Sequence, residues 1–192
     1  MTLAAAANDT AAPLSDEALV LAARERPADF GLLYERYLPR VYRYLVARTG
    51  LRDEAADLTQ TAFLKAFDAL PHYAPRKGTF AAWLFRIARN AAADAHRKRR
   101  PTVAWDGLPE ALTATNGASP EAIAEKRERL DRLRHLLLGV DADKRELLAL
   151  RFASDLSSRE IAHVVGKSES AVKKQLTRTI ATLKEYYHDE LP

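Results

Sequence analysis

The chain of 192 residues has no cysteine, one methionine, 8% aromatic residues and seven glycines, none of which adjoins another. Without cysteine there is no disulfide framework and no thiolate metal site, and a reducing cytoplasm is the compatible compartment. Isolated glycines exclude a phosphate-cradling loop of the P-loop or dinucleotide-binding kind. The five histidines, His72, His96, His135, His163 and His188, fit no metal-ligand spacing. Carboxylates lie beside Lys and Arg along helical patterns, and no nucleophile stands with a base. The expectation is therefore no metal, no cofactor and no enzymatic activity. No window approaches the roughly 20 apolar residues that cross a bilayer, so no membrane insertion is expected. The alanine-rich segment 1–14 lacks the basic and apolar parts of a signal peptide and reads as a tail. Period-two alternation is missing too, which leaves an all-α fold.

What the chain does have is positive charge in two places. The net charge is +4, and residues 86–100 hold six Lys/Arg against one Asp while residues 157–187 hold six against three Glu. Clustering of this kind points to polyanion contacts. The C-terminal cluster has the pattern of a helix-turn-helix. Ser157 or Ser158 caps a first helix with Glu160 in its first turn and Ile161 and Val165 on its apolar face. Gly166 makes the turn, and Ser168 caps a second helix with Val172, Leu176, Ile180 and Leu183 as its buried stripe. Small Ala162 lets the two helices cross closely. Lys167 stands where such turns usually carry an apolar residue, and its stem can cover the same surface. The opposite face offers Ser170, Lys173, Lys174, Thr177 and Arg178 to phosphates and base edges.

Upstream, Ser15 caps a short helix that Pro27 ends. A second helix spans Asp29 to Thr49, with Phe30, Leu33, Tyr34, Tyr37, Val41, Tyr44 and Leu45 at helical spacing, Gly50 as its stop and a kink or break expected at Pro39. A third, from Arg52 to Leu70, turns Ala55, Leu58, Ala62, Phe63 and Ala66 inward and leaves Asp53, Glu54, Asp57, Gln60, Thr61, Lys65 and Asp68 outside. The Pro- and Gly-bearing loop from His72 to Gly78 leads into a fourth helix with an apolar stripe of Phe80, Trp83, Leu84, Ile87 and Ala91. Arg86, Arg89, Asn90, His96, Arg97 and Arg100 lie largely away from that stripe. Residues 101–120 contain Pro101, Gly107, Pro109, Gly117 and Pro120, two acids and no Lys or Arg, and read as a linker containing Trp105. Helices from about Ser119 to Leu138 and from Asp141 to Phe152, with Leu147, Leu148 and Leu150 inside, precede the helix-turn-helix. The organisation expected is thus a tail (1–14), a helical domain (15–100), a flexible linker (101–120) and a second small helical domain (121–192).

Four stretches carry a family resemblance: Phe30-Gly31-Leu32-Leu33-Tyr34-Glu35-Arg36-Tyr37, the run from Asp57 to Phe67, Trp83-Leu84-Phe85-Arg86-Ile87-Ala88-Arg89-Asn90, and the helix-turn-helix. In this order the chain resembles a bacterial RNA polymerase sigma factor of the extracytoplasmic-function (ECF) type. The resemblance implies a two-domain specificity subunit that binds core RNA polymerase and directs promoter recognition and opening. Asp57, Leu58, Gln60, Phe63 and Lys65 would then meet the polymerase, with Thr61 in place of the family's usual Glu. Tyr73, Arg76, Lys77, Arg86, Arg89, Asn90 and Arg97 would hold the unpaired minus-10 strand. Ser168, Ser170, Ala171, Lys173, Lys174, Gln175, Thr177 and Arg178 would face the duplex minus-35 element. The family's habit also implies an anti-sigma factor as partner and a cytoplasmic location. The alternative is a stand-alone helix-turn-helix regulator whose first domain dimerises or binds a partner.

Overall fold

The computed structural model describes residues 14–74, 78–98, 128, 132, 133 and 135–189. The expected tail, linker and Trp105, together with Arg76, Lys77 and most of the helix expected to follow Ser119, lie outside the described residues. Among those described, all regular structure is helical. Four helices form the first half: α1 (Asp16–Glu25), α2 (Phe30–Thr49), α3 (Arg52–Ala69) and α4 (Phe80–Lys98), with 3-10 turns at Pro27–Asp29 and Leu70–His72. Residues 135–138 are helical, and the second half continues with α5 (Ala142–Leu148), a π turn (Ala149–Ala153), α6 (Ser158–Val165) and α7 (Glu169–Asp189).

The cap expected at Ser15 is in place, accepting from the Ala18 amide at 3.2 Å, and Asp141, expected only as the first residue of a helix, is a cap too, accepting from the Lys144 amide at 3.0 Å. Ser157 and Glu160 close a reciprocal box in which each side chain accepts from the other's backbone amide. Such caps satisfy orphan amides at helix starts, where they contribute about 1 kcal/mol each. Gly50 and Gly166 end α2 and α6 at φ 71°, the left-handed conformation that only glycine adopts without steric cost.

Two local expectations need correction. Of the kink or break expected at Pro39, the break does not occur: α2 runs as one helix through it. The proline forfeits one backbone hydrogen bond, yet Tyr37, Val41, Tyr44 and Leu45 around it are buried to 3% exposure or less. Burial of large side chains at about 1.5–3 kcal/mol each outweighs that loss. The segment expected as one helix from Asp141 to Phe152 is instead α5 followed by a π turn. The wider turn brings Leu147, Leu148 and Leu150 inside together, and Leu156 joins them after Asp155 takes a positive φ of 54°.

The two halves are packed against each other. α6 lies on α4 and the π turn lies on α2, and the buried residues of both halves form one continuous apolar cluster. α4 is consequently buried over most of its circumference. Besides Phe80, Leu84 and Ala91, the structure encloses Ala81, Ala82, Phe85, Ala88 and Ala92. Among the described residues of α4, those exposed are Arg86, Asn90, His96 and Arg97.

Candidate nucleic-acid interface

Three of the exposed residues of α4, Arg86, Asn90 and Arg97, form a stripe at helical spacings of four and seven, with Arg97 paired to Asp94 and His96 exposed off the stripe. At its N-terminal end lies a pocket of about 140 Å³ lined by His72, Tyr73, Ala74, Ala82, Trp83, Arg86 and His163. The loop that forms one wall is held from α1. Arg24 donates from Nε to the Leu70 carbonyl at 3.1 Å and from Nη2 to the Tyr73 carbonyl. Tyr73 is itself 6% exposed, with its ring 5.0 Å from Trp83 and 5.8 Å from Phe80, and its hydroxyl donates to the Gly78 carbonyl at 3.3 Å. Burial pushes the Tyr73 hydroxyl up from its ordinary pKa, so the phenol stays a neutral donor. Phe80 is core, whereas Trp83 is half-buried and lines the pocket. Aromatic side chains beside a cation are the combination that accepts a nucleobase by stacking and its phosphate by charge.

Arg89 differs from its neighbours on α4. It is half-buried, and its Nε lies 3.7 Å from Oε1 of Glu146. Glu146 belongs to α5 and is 6% exposed. It accepts a hydrogen bond of 2.5 Å from the Tyr44 hydroxyl and forms an ion pair with Arg48. Burial pushes the Tyr44 hydroxyl upward and the neighbouring arginines oppose the shift, so the phenol keeps its proton for Glu146. Arg40 and Arg43 complete this seam by donating to the carbonyls of Ser154 at 2.8 Å and Ala153 at 3.0 Å. None of Tyr44, Arg48, Arg40, Arg43 or Glu146 was marked by the sequence as a site residue, since no local pattern joins positions about a hundred residues apart.

The second basic surface is α7. Val172 and Leu176 are buried and Ile180 and Leu183 half-buried, as the stripe requires, and Thr179 is enclosed beside them. Ser170, Ala171, Lys173, Lys174, Thr177 and Arg178 are exposed, and Gln175 is partly so. Ser168 caps the helix by accepting from the Ala171 amide at 3.2 Å. Lys173 pairs with Glu169 at 2.7 Å, a surface contact that a phosphate can displace cheaply. The Lys167 ammonium reaches Asp143 and Gln175 at 3.4 Å each and so ties the turn to α5.

On α3, Asp57, Gln60 and Lys65 are exposed, but Leu58 and Phe63 point into the core at 8% and 3% exposure. The apolar groups this helix does show are Leu64 at 65% and Phe67 at 39%. Phe63 serves the fold, with its ring against Phe30 and Tyr34.

Comparison with known proteins shows the family. The family model for sigma-70 region 2 matches residues 33–102, and the one for sigma-70 region 4 matches residues 130–183. The ECF RNA polymerase sigma factor SigD of Mycobacterium tuberculosis is 36% identical over 157 residues, 79% of this chain and 73% of that protein. The chain belongs to the ECF RNA polymerase sigma factors. ECF sigma factor BldN of Streptomyces coelicolor is 35% identical over 178 residues, 90% of this chain, and the chain spans 66% of that relative's length. Among solved structures, CnrH in complex with the cytosolic domain of CnrY superposes with a TM-score of 0.64 at 25% identity, over 92% of this chain and 99% of that one. Region 2 of this sigma factor therefore includes α2 to α4 and region 4 includes α5 to α7, with the pocket lined mainly by region 2 and by His163 of region 4. Sigma factors are promoter-recognition subunits, and the two exposed basic surfaces fall one in each matched region.

Proposed function

We propose a division of labour within this sigma factor in which each region serves one part of a promoter. The α3 face bearing Asp57, Gln60 and Lys65, with Leu64 beside them, docks on core RNA polymerase. The stripe of Arg86, Asn90 and Arg97, with the Tyr73–Trp83 pocket at its end, captures the unpaired minus-10 strand. The exposed face of α7 enters the major groove at the minus-35 element, where Lys173, Lys174, Thr177 and Arg178 meet phosphates and base edges. The observation that carries the reading is that α4, buried along most of its length, keeps Arg86, Asn90 and Arg97 exposed at helical spacing and that this row ends at a pocket lined by Tyr73, Trp83 and Arg86. Strand capture needs both features together.

The chain itself supplies no bond-making chemistry in this reading. It opens the promoter by holding bases that have left the stack, which offsets an unpairing cost of a few kcal/mol, and RNA synthesis belongs to the polymerase. It acts in the cytoplasm, where the polymerase and promoter are; among the described residues no helix is long and apolar enough to cross a membrane. Control by an anti-sigma factor fits the family. The deciding experiment is co-purification with core polymerase followed by run-off transcription from a genomic fragment library. Specific initiation that depends on the chain supports the reading, and binding to duplex DNA without any core binding would favour a stand-alone regulator.

A further inference from the structure

We propose that Arg24 is a positioning residue for base selection. From α1, its guanidinium holds the backbone that walls the Tyr73–Trp83 pocket and so sets how sharply that pocket tells one unpaired base from another. The inference rests on the reading of the pocket as the minus-10 base site.

The wall is a short stretch of chain with little structure of its own. α3 ends at Ala69, and a single 3-10 turn, Leu70–His72, carries the chain to Tyr73. Pro71 inside that turn has no amide hydrogen to donate. The turn closes with a backbone bond from the Tyr73 amide to the Leu70 carbonyl at 3.1 Å. Arg24 adds two bonds from another helix. Its Nε donates to that same Leu70 carbonyl at 3.1 Å, and its Nη2 donates to the Tyr73 carbonyl. A guanidinium presents both donors in one rigid plane, so it fixes the spacing and the orientation of the two carbonyls together.

Tyr73 is thereby held from two sides. Its ring packs on Phe80 and Trp83 of α4, and its backbone hangs from α1. A pocket that reads a base edge must keep its walls within about 0.5 Å of the productive geometry, which takes support from outside the pocket. α1 is a firm bracket for that purpose. Asp16 in its first turn pairs with Arg36 at 2.7 Å and accepts from the Tyr37 hydroxyl, both on α2, while Leu19, Val20 and Ala23 are buried. The Tyr37 ring in turn lies 5.4 Å from Phe80, the ring that backs Tyr73. Arg24 itself is exposed, so its replacement opens no core cavity and acts through the two carbonyls. α1 also precedes the residues matched to region 2, so that match gives Arg24 no part in base selection.

The test uses holoenzyme assembled from the full chain and core polymerase. The templates are forks with duplex minus-35 DNA and an unpaired minus-10 strand, in which each unpaired position carries each of the four bases in turn. The parent should favour one base at one or more of these positions by about tenfold or more in affinity, the scale of a position that is read. Arg24→Met keeps an unbranched stem and removes both donors. It should lower that ratio by about threefold or more, the scale of one net hydrogen bond, while affinity for the disfavoured bases, affinity for core and circular dichroism stay as in the parent. Arg24→Lys keeps the charge without the planar fork, should fall between the two, and decides the matter should Arg24→Met fold poorly. Arg86→Ala is the contrast, since loss of a phosphate contact weakens all four bases alike. Parent-level discrimination in Arg24→Met, or in Arg24→Lys where the former does not fold, would overturn the inference. So would an equal loss over all four bases, which marks a merely structural role. A parent that binds core yet prefers no base at any unpaired position refutes the minus-10 reading of the pocket itself.

Discussion

Arg86→Ala isolates strand capture from folding. Arg86 is exposed on the stripe of α4 and lines the pocket rim, so the substitution should change stability by no more than about 0.5 kcal/mol. If its guanidinium meets one phosphate of the unpaired strand, its loss lowers the salt slope of log Kobs by about 0.7, the value per contact for single strands. Between 50 and 200 mM salt that difference amounts to roughly a 2.6-fold change in relative affinity. The absolute loss at moderate salt should be about fivefold to tenfold, the equivalent of 1–1.4 kcal/mol for a charge-assisted contact. Adding Asn90→Ala removes the next group along the stripe. The assay is permanganate reactivity of promoter thymines together with abortive transcription, on duplex DNA and on a template pre-melted at the minus-10 element. The double variant should melt duplex poorly and recover in part on the bubble, since the template then supplies the few kcal/mol of unpairing. Normal melting on duplex, or an unchanged salt slope, would show that this stripe does not hold the strand.

Three further outcomes follow from the other surfaces. Asp57→Lys reverses charge at an exposed position of α3 and should weaken core polymerase binding while circular dichroism and thermal midpoint stay as in the parent; unchanged core affinity removes α3 from the docking surface. Lys173→Ala and Arg178→Ala should each lower promoter-specific transcription, with about 1–3 kcal/mol and altered base preference for a base-edge contact, or uniform weakening for a phosphate contact; full initiation by both variants across a salt series would place this face away from DNA. For Glu160, burial raises the pKa, but hydrogen bonds from Ser157 and Thr79 outweigh it and hold the carboxyl below its ordinary range. A carboxyl depressed in the folded state contributes stability that is fully present above the unfolded value of about 4.3 and is lost as pH falls through the lower folded value. Glu160→Gln keeps the capping pattern but cannot titrate, so its stability should fall less steeply than the parent's below about pH 4.3; identical acid limbs would refute the assignment.

Much of this was legible in the sequence because its causes are local. Ser15, Ser157 and Ser168 cap the helices they precede, Gly166 turns where a left-handed residue is required, and Val172 and Leu176 keep helical register with the core. What was not legible depends on contacts between distant positions. A helical wheel of α4 shows one apolar stripe and leaves Phe85 and Ala81 unexplained, because their burial arises where region 4 and α2 close around the helix. Leu58 and Phe63 face inward, as the helical spacing of α3 had them and against the polymerase contact that the resemblance implied, and Leu64 and Phe67 reach solvent. A motif match fixes the identity of a stretch without saying which way each side chain points. Glu146 illustrates the limit most clearly. In the sequence it is one acid in a run of Lys144, Arg145 and leucines, where a solvated role is the natural expectation. Only the fold brings Tyr44, Arg48 and Arg89 around it and gives a buried carboxylate partners enough to stay charged. The same residue then links the two halves of the chain, because the groups that make its burial tolerable lie beside the stripe that an unpaired strand would use.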